Sequence, residues 1–459
     1  MTLIKSISGI RGTIGGTPGN ALTPLDIVKF AGAYSKWIKQ RNISCKRVKI
    51  VVGRDARPSG DMVNRLITGT LIASGVDVID IGLATTPTVE VAVTGLLAQV
   101  GIILTASHNP KQWNALKLLN EKGEFLSDAD GKTLLAMVEN SDFNFVEVDD
   151  FGQISCDNSY TDKHIDAILK LPAVDVEAVR KSGFKIVVDA VNSVGGIAVP
   201  RLLAAMGVQV IQLNCTPDGQ FAHNPEPLPE NLTEIAKTVV QSNADLGIVV
   251  DPDVDRLALV CENGSFFGEE YTLVAVADYI LSAEKGNTVS NLSSSRALKD
   301  VTEKYGGEYF ASAVGEVNVV AKMKEVNAII GGEGNGGVIY PALHYGRDAL
   351  VGIALFLSLL ARKNVKCSAL RAEYPDYFVS KNKRTLTPDT DIDMMLEKIK
   401  TKYSCRRISD VDGVRVDFDD QKKWVHLRKS NTEPIIRIYA EARSATDADA
   451  LAKEIMSEL

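Results

Sequence analysis

The chain has 459 residues, 45% apolar and 24% charged, with a net charge of −7 at pH 7. Its length exceeds what one hydrophobic core supports, so three or four domains are expected. Acids and bases are interspersed with a negative balance, which excludes the basic face of a nucleic-acid binder. No apolar run reaches the roughly 18 residues of a membrane-spanning helix, so no membrane association is expected.

Residues 1–6 lack an apolar h-region, so no secretory signal is expected there. Six cysteines (Cys45, Cys156, Cys215, Cys261, Cys367, Cys405) are widely spaced with no CxxC pair. That pattern suggests neither a cysteine zinc site nor a disulfide framework, and predicts reduced thiols in a cytoplasmic protein.

Along the chain, short β-type runs alternate with amphipathic helical stretches as far as residue 370. Residues 48–53 read as a buried strand, 62–74 as a helix and 76–81 as the next strand, the rhythm of an α/β domain with a largely parallel sheet. The rhythm restarts near residue 184, with further strands at 208–213 and 245–250. It restarts again after Asp255, with a strand at 257–260, a helix at 271–283, a strand at 287–291 and a helix at 298–305. The last 90 or so residues differ. A helix at 391–402, period-two alternation at 413–418, strands at 424–427 and 435–440 and a closing helix at 445–459 make a small α+β domain. The expected architecture is therefore three α/β domains (1–150, 151–255 and 256–370) plus an α+β domain (371–459), packed around a shared cleft.

Each restart contains a strand that ends at a loop of special composition. The run 100–104 stops at Thr105-Ala106-Ser107-His108-Asn109-Pro110, which offers the Ser107 hydroxyl at a strand end, a common place for a site on an α/β fold. Taken alone, the same residues also suit a plain turn. Asp251-Pro252-Asp253-Val254-Asp255-Arg256 puts three carboxylates at i, i+2 and i+4, on one side of an extended strand end. Three like charges pointing together call for a cation, and hard oxygen ligands suit Mg²⁺. Gly331-Gly332-Glu333-Gly334-Asn335-Gly336-Gly337 lets backbone approach a ligand, with Glu333 and Asn335 to bind hydroxyls. Arg428-Lys429-Ser430-Asn431-Thr432-Glu433-Pro434, with Arg437 beyond it, combines hydroxyls and forked guanidinium groups as a phosphate dianion requires. Two further basic spots, Arg11 between Gly9 and Gly12 and the pair Arg54 and Arg57, are either part of a site or surface charge.

Together, and in this order, these segments resemble the α-D-phosphohexomutase superfamily along essentially the whole chain. Residues 105–110 resemble its phosphoserine loop, 251–256 its metal loop, 332–336 its sugar-recognition loop and 428–434 its phosphate-binding loop. Pro252, Asn335, Gly337 and Ala115 depart from the commonest pattern in a way similar to the branch acting on glucosamine phosphate.

The resemblance implies an isomerase that carries a phosphoryl group on Ser107. One Mg²⁺ per chain would bridge that group to Asp251, Asp253 and Asp255, and a hexose 1,6-bisphosphate would be intermediate and activator. Lys117 is the first choice for proton transfer, which requires a lowered pKa. His108 and Arg11 are second choices, and Arg256 would stabilise the transferring oxygens. Glu333 and Asn335 would hold the sugar, and Arg428, Ser430, Asn431, Thr432 and Arg437 its phosphate. The expected substrate is a small-molecule hexose phosphate, glucosamine phosphate first and mannose or glucose phosphates as the alternative, turned over by a monomer or homodimer. Two readings from other classes are a metal-dependent phosphatase and a sugar-phosphate sensor.

Overall fold

A computed structural model of the chain describes residues 1–6, 9–45, 47–387, 391–430 and 435–459. Its strands form the sheets of four α/β and α+β domains.

The first sheet holds β1 (Ile4–Ser6), β2 (Gly9–Thr13), β3 (Lys49–Arg54), β4 (Asp77–Leu83), β5 (Val100–Leu104), β6 (Trp113–Leu119) and β7 (Ile154–Cys156), in the order β1-β2-β6-β5-β3-β4-β7. The β5-β3-β4-β7 half is parallel, whereas β6 runs antiparallel to both β5 and β2. All five residues of β5 are buried. Val100, Ile102 and Leu104 enter one apolar cluster and Ile103 another, as the alternation of side chains along a strand requires. Burial on both faces explains why this strand reads as a continuous apolar run. At Gly9, φ is +128° and a Cβ would lie 1.8 Å from the Leu116 carbonyl oxygen, so only glycine lets β2 close on β6 there. That closure sets Gly9 opposite Lys117 and Arg11 opposite Ala115.

The second sheet holds β8 (Lys185–Asp189), β9 (Gln209–Leu213), β10 (Leu246–Val250) and β11 (Leu257–Cys261), ordered β11-β10-β8-β9. This corrects the expected boundary at Asp255. Leu257–Cys261 does not open a third unit but returns antiparallel to β10, because residues 251–256 form a tight reversal. Next come β12 (Asn287–Asn291), β13 (Tyr309–Ser312) and β14 (Ala328–Glu333), with β12 parallel to both neighbours, and then β15 (Gly337–Ile339). The final antiparallel sheet holds β16 (Phe378–Thr385), β17 (Arg407–Ser409), β18 (Val414–Phe418), β19 (Lys423–Lys429) and β20 (Ile435–Ala442), ordered β16-β20-β19-β18-β17.

By packing, the residues fall into two compact units. One comprises 1–272 and 337–368, the other 273–336 and 369–459. No helix among the described residues is long and apolar enough to cross a membrane.

Candidate active site

The first unit brings Ser107 to the acid turn. Ser107 follows β5 with φ at +49°, a left-handed conformation that a non-glycine residue holds only where its surroundings enforce it. The enforcing group is Arg57, which is 1% exposed. Its guanidinium donates to the carbonyls of Pro110 (2.7 Å), Asn109 (2.7 Å) and Ser107, and pairs with Asp55 at 2.9 Å. Asp55 also accepts from the Thr105 hydroxyl at 2.7 Å, and Thr105 Oγ1 accepts from the Ser107 amide at 2.9 Å. Arg57 is thus not surface charge but the clamp on the serine loop. Sequence reasoning flagged its position without assigning this role.

Ser107 Oγ donates to Asp251 Oδ2 at 2.9 Å, across 144 residues of sequence. The three aspartates converge, but not as one side of an extended strand. Val254 takes φ = +65°, unusual for a β-branched residue, and reverses the chain between Asp253 and Asp255. Asp251 Oδ1 fastens the reversal by accepting from the amides of Asp255 (3.1 Å) and Arg256 (3.2 Å). All three carboxylates are fully buried, with an oxygen from each within 4.8 Å of the others. Burial, with Asp255 and Asp253 adding to it, pushes the Asp251 carboxyl well above its ordinary range.

Cations ring the turn. Lys117 Nζ lies 2.7 Å from Asp253 and 3.7 Å from Asp255. Arg347 donates to Asp255 Oδ2 at 2.6 Å. Arg256 is less engaged, at 3.9 Å from Asp255 and 3.7 Å from Glu226. Thr86 donates its hydroxyl to Asp253 Oδ2 at 2.6 Å and its amide to the Asp253 carbonyl at 2.9 Å. Thr86 and Arg347 were not foreseen. Thr86 stands just inside a helix (Thr86–Gly95) capped by Thr85, a legible helix start whose link to Asp253 is tertiary.

The lysine's charge state differs from expectation. Burial lowers the Lys117 pKa, but Asp253 and Asp255 raise it by more, so it remains an ammonium instead of becoming a ready base. His108, with Nδ1 3.5 Å from Ser107 Oγ, is pushed down to about 3 by burial and by Arg256, Arg347 and Lys117, and is neutral. Arg11 is partly buried on β2, two residues from Gly9, with its pKa lowered by burial.

In the second unit, Glu333 ends β14 and is 5% exposed, so the glycine-rich segment is half strand, not a free loop. Its Oε1 accepts from Asn291 Nδ2 (2.8 Å) and the Gly315 amide (3.2 Å), and Asn335 Nδ2 lies 3.5 Å from Oε2. The β19–β20 register sets Arg428 directly opposite Arg437, and the β16–β20 register sets Lys383 opposite Arg437. Like charges facing each other across strands are unfavourable without an anion between them. Asp412 takes up part of that charge, 3.2 Å from Arg428. Ser430 is 5% exposed, and its amide donates to the Ile435 carbonyl at 3.0 Å. Asn431 and Thr432 lie outside the described residues, as does Ser8.

Four descriptions match in succession: "Phosphoglucomutase/phosphomannomutase, alpha/beta/alpha domain I" over residues 3–145, domain II over 162–264, domain III over 268–377 and the C-terminal domain over 382–458. The chain belongs to the phosphoglucomutase/phosphomannomutase family. It is 35% identical to a phosphoglucomutase/phosphomannomutase of Thermococcus kodakarensis over 95% of each chain. It is 35% identical to a "probable phosphoglucosamine mutase" of Methanopyrus kandleri over 98% of this chain and 96% of that one. A solved phosphoglucomutase/phosphomannomutase family protein of Burkholderia thailandensis superposes with a TM-score of 0.86 at 26% identity, covering 99% of this chain and 96% of that one. The protein is accordingly a phosphohexomutase, an isomerase.

The acid turn of this phosphohexomutase suits the Mg²⁺ expected from the sequence. Asp253 Oδ1 and Asp255 Oδ1 are buried and accept no hydrogen bond, which leaves two hard oxygens of the three-carboxylate cluster available to a cation.

Proposed function

We propose that this phosphohexomutase interconverts glucosamine 6-phosphate and glucosamine 1-phosphate through a phosphoserine at Ser107 and a hexose 1,6-bisphosphate. The observation that carries the mechanism is the 2.9 Å contact of the Ser107 hydroxyl with the acid turn. A phosphoryl group on Oγ would sit beside Asp251, Asp253 and Asp255, which with it would hold Mg²⁺. Bound there, Mg²⁺ neutralises charge on the phosphoryl oxygens.

Phosphoryl transfer needs positioning and charge neutralisation more than covalent help. The sugar O1 attacks phosphorus and the P–Oγ bond breaks, giving the 1,6-bisphosphate. After the intermediate turns end for end, Oγ takes the phosphoryl group back from O6. Each transfer takes a proton from the attacking hydroxyl and returns one to the leaving oxygen; His108, beside Oγ, could relay that proton, although a pKa pushed down to about 3 makes it a weak base. Lys117, held charged by Asp253, suits the role of proton donor, with Arg11 a further cation on the adjoining strand. Arg256 and Arg347, both beside Asp255, would stabilise the transferring oxygens. The substrate's own phosphate is assigned to Arg428, Ser430, Asn431, Thr432 and Arg437, and its hydroxyls to Glu333 and Asn335. The fixed Oε1 contacts of Glu333 hold its carboxylate in one orientation.

The choice of amino sugar rests on Asn335 and Gly337 and on the name of the Methanopyrus relative. The name of the Thermococcus relative supports a second reading, glucose or mannose phosphates. Turnover of glucosamine, glucose and mannose 6-phosphates by the purified protein separates them. Glucosamine 6-phosphate is expected to give the highest kcat/KM, and a higher value for either neutral sugar rejects the amino-sugar assignment.

A further inference from the structure

A second cluster of metal-binding groups lies in the first unit, outside the acid turn. His164 Nε2 lies 3.0 Å and His344 Nε2 3.3 Å from one oxygen, Asp348 Oδ2. The other Asp348 oxygen is committed elsewhere. Oδ1 accepts from the amides of Leu350 (2.8 Å) and Val351 (3.3 Å) and so caps the helix Ala349–Lys363. Each imidazole has an oxygen behind it. His164 Nδ1 meets Thr88 Oγ1 at 3.0 Å, and His344 Nδ1 lies 3.3 Å from Glu90 Oε2. Gly346 permits the close approach, since a Cβ there would stand 1.8 Å from that Glu90 oxygen. His164 and Asp348 are fully buried, and the His344 side chain is 12% exposed, giving the cluster one open side.

We infer that His164, His344 and Asp348 form a second metal site, selective for Zn²⁺ and separate from the acid turn. Three features carry this assignment. Ligands about 2.0–2.1 Å from a tetrahedral zinc stand about 3.3–3.4 Å apart, close to the two spacings observed. Each imidazole presents Nε2 to Asp348 Oδ2 with an oxygen behind its Nδ1, through a hydrogen bond at His164 and a 3.3 Å contact at His344, the second-layer placement that orients metal-binding histidines. Donor chemistry separates the two sites, because two imidazoles and one carboxylate suit zinc whereas the all-oxygen acid turn suits magnesium.

The metal would tie the helix Thr86–Gly95, the helix Tyr160–Leu169 and the segment before Ala349–Lys363 together. The first and last of these elements carry Thr86 to Asp253 and Arg347 to Asp255.

The test is zinc binding by the full-length chain, independent of turnover. Chelator-stripped protein is titrated with Zn²⁺ in millimolar Mg²⁺, and bound metal is counted by elemental analysis. One Zn²⁺ per chain is expected. Glu90→Gln should weaken binding roughly 10-fold, and His344→Gln and His164→Gln by more. Wild-type protein loaded with Co²⁺ should show visible bands of nitrogen and oxygen ligation, without thiolate charge transfer. If His164→Gln fails to fold, His344→Gln at the open side and the cobalt spectrum still decide. No zinc retained against Mg²⁺, zinc binding untouched by His344→Gln, or a thiolate spectrum would each overturn the assignment.

Discussion

At the scale of single residues, the site depends on one buried guanidinium as much as on the serine. Arg57 satisfies four backbone carbonyls and Asp55 at once. A lysine offers one point charge where a planar fork is needed. Arg57→Lys should therefore leave several buried acceptors and the Asp55 charge poorly paired. We expect a loss of roughly 3–5 kcal/mol in stability, measured by denaturant unfolding, together with reduced turnover as Ser107 leaves its left-handed conformation. Ser107 and the three aspartates were legible in the sequence because each sits where an apolar strand stops. Arg347 and Thr86 were not, because their relation to the acids is purely tertiary, reaching Asp255 across 92 residues and Asp253 across 167. The Arg57 role was half legible, since an Asp-x-Arg at a strand end signals a local ion pair but not which loop it holds.

At the scale of elements, apolar periodicity placed the elements it marked to within a few residues, including most strands, but it marked only five of the fifteen α-helices among the described residues. Asp391 and Ser444 cap the helices Ile392–Lys402 and Ala445–Glu458, near the expected starts. The strand Leu257–Cys261 was found, but its partner was not, because a buried strand carries no mark of the sheet it joins. In the second unit a histidine links elements in a way that pH can report. His426 on β19 donates through Nε2 to the Asp412 carbonyl at 2.6 Å, and its Nδ1 faces Ser293 Oγ at 2.9 Å, just past β12. Burial, with Arg415 adding to it, lowers its pKa from 6.5 to about 4. The folded form thus binds this proton less readily than the unfolded chain. The stability it contributes is present above pH 6.5 and is lost as pH falls toward 4. Thermal melting across that window should show His426→Gln losing less stability on acidification than the wild type. Equal slopes would remove His426 from the account.

At the scale of the whole molecule, a chain of net charge −7 handles anionic substrates. On the proposed function, attraction would come from local cations: Lys117, Arg256 and Arg347 in one compact unit, and Lys383, Arg428 and Arg437 in the other. The motif order predicted the family, and four successive family matches bear it out. The most direct test of the central claim is the intact mass of the protein after incubation with a hexose 1,6-bisphosphate, followed by peptide mapping. The account predicts one added phosphoryl group, located on Ser107, lost on incubation with glucosamine 6-phosphate, and absent from an inactive Ser107→Ala. Turnover by Ser107→Ala, or a wild-type enzyme that works without ever carrying phosphate on that residue, would contradict it.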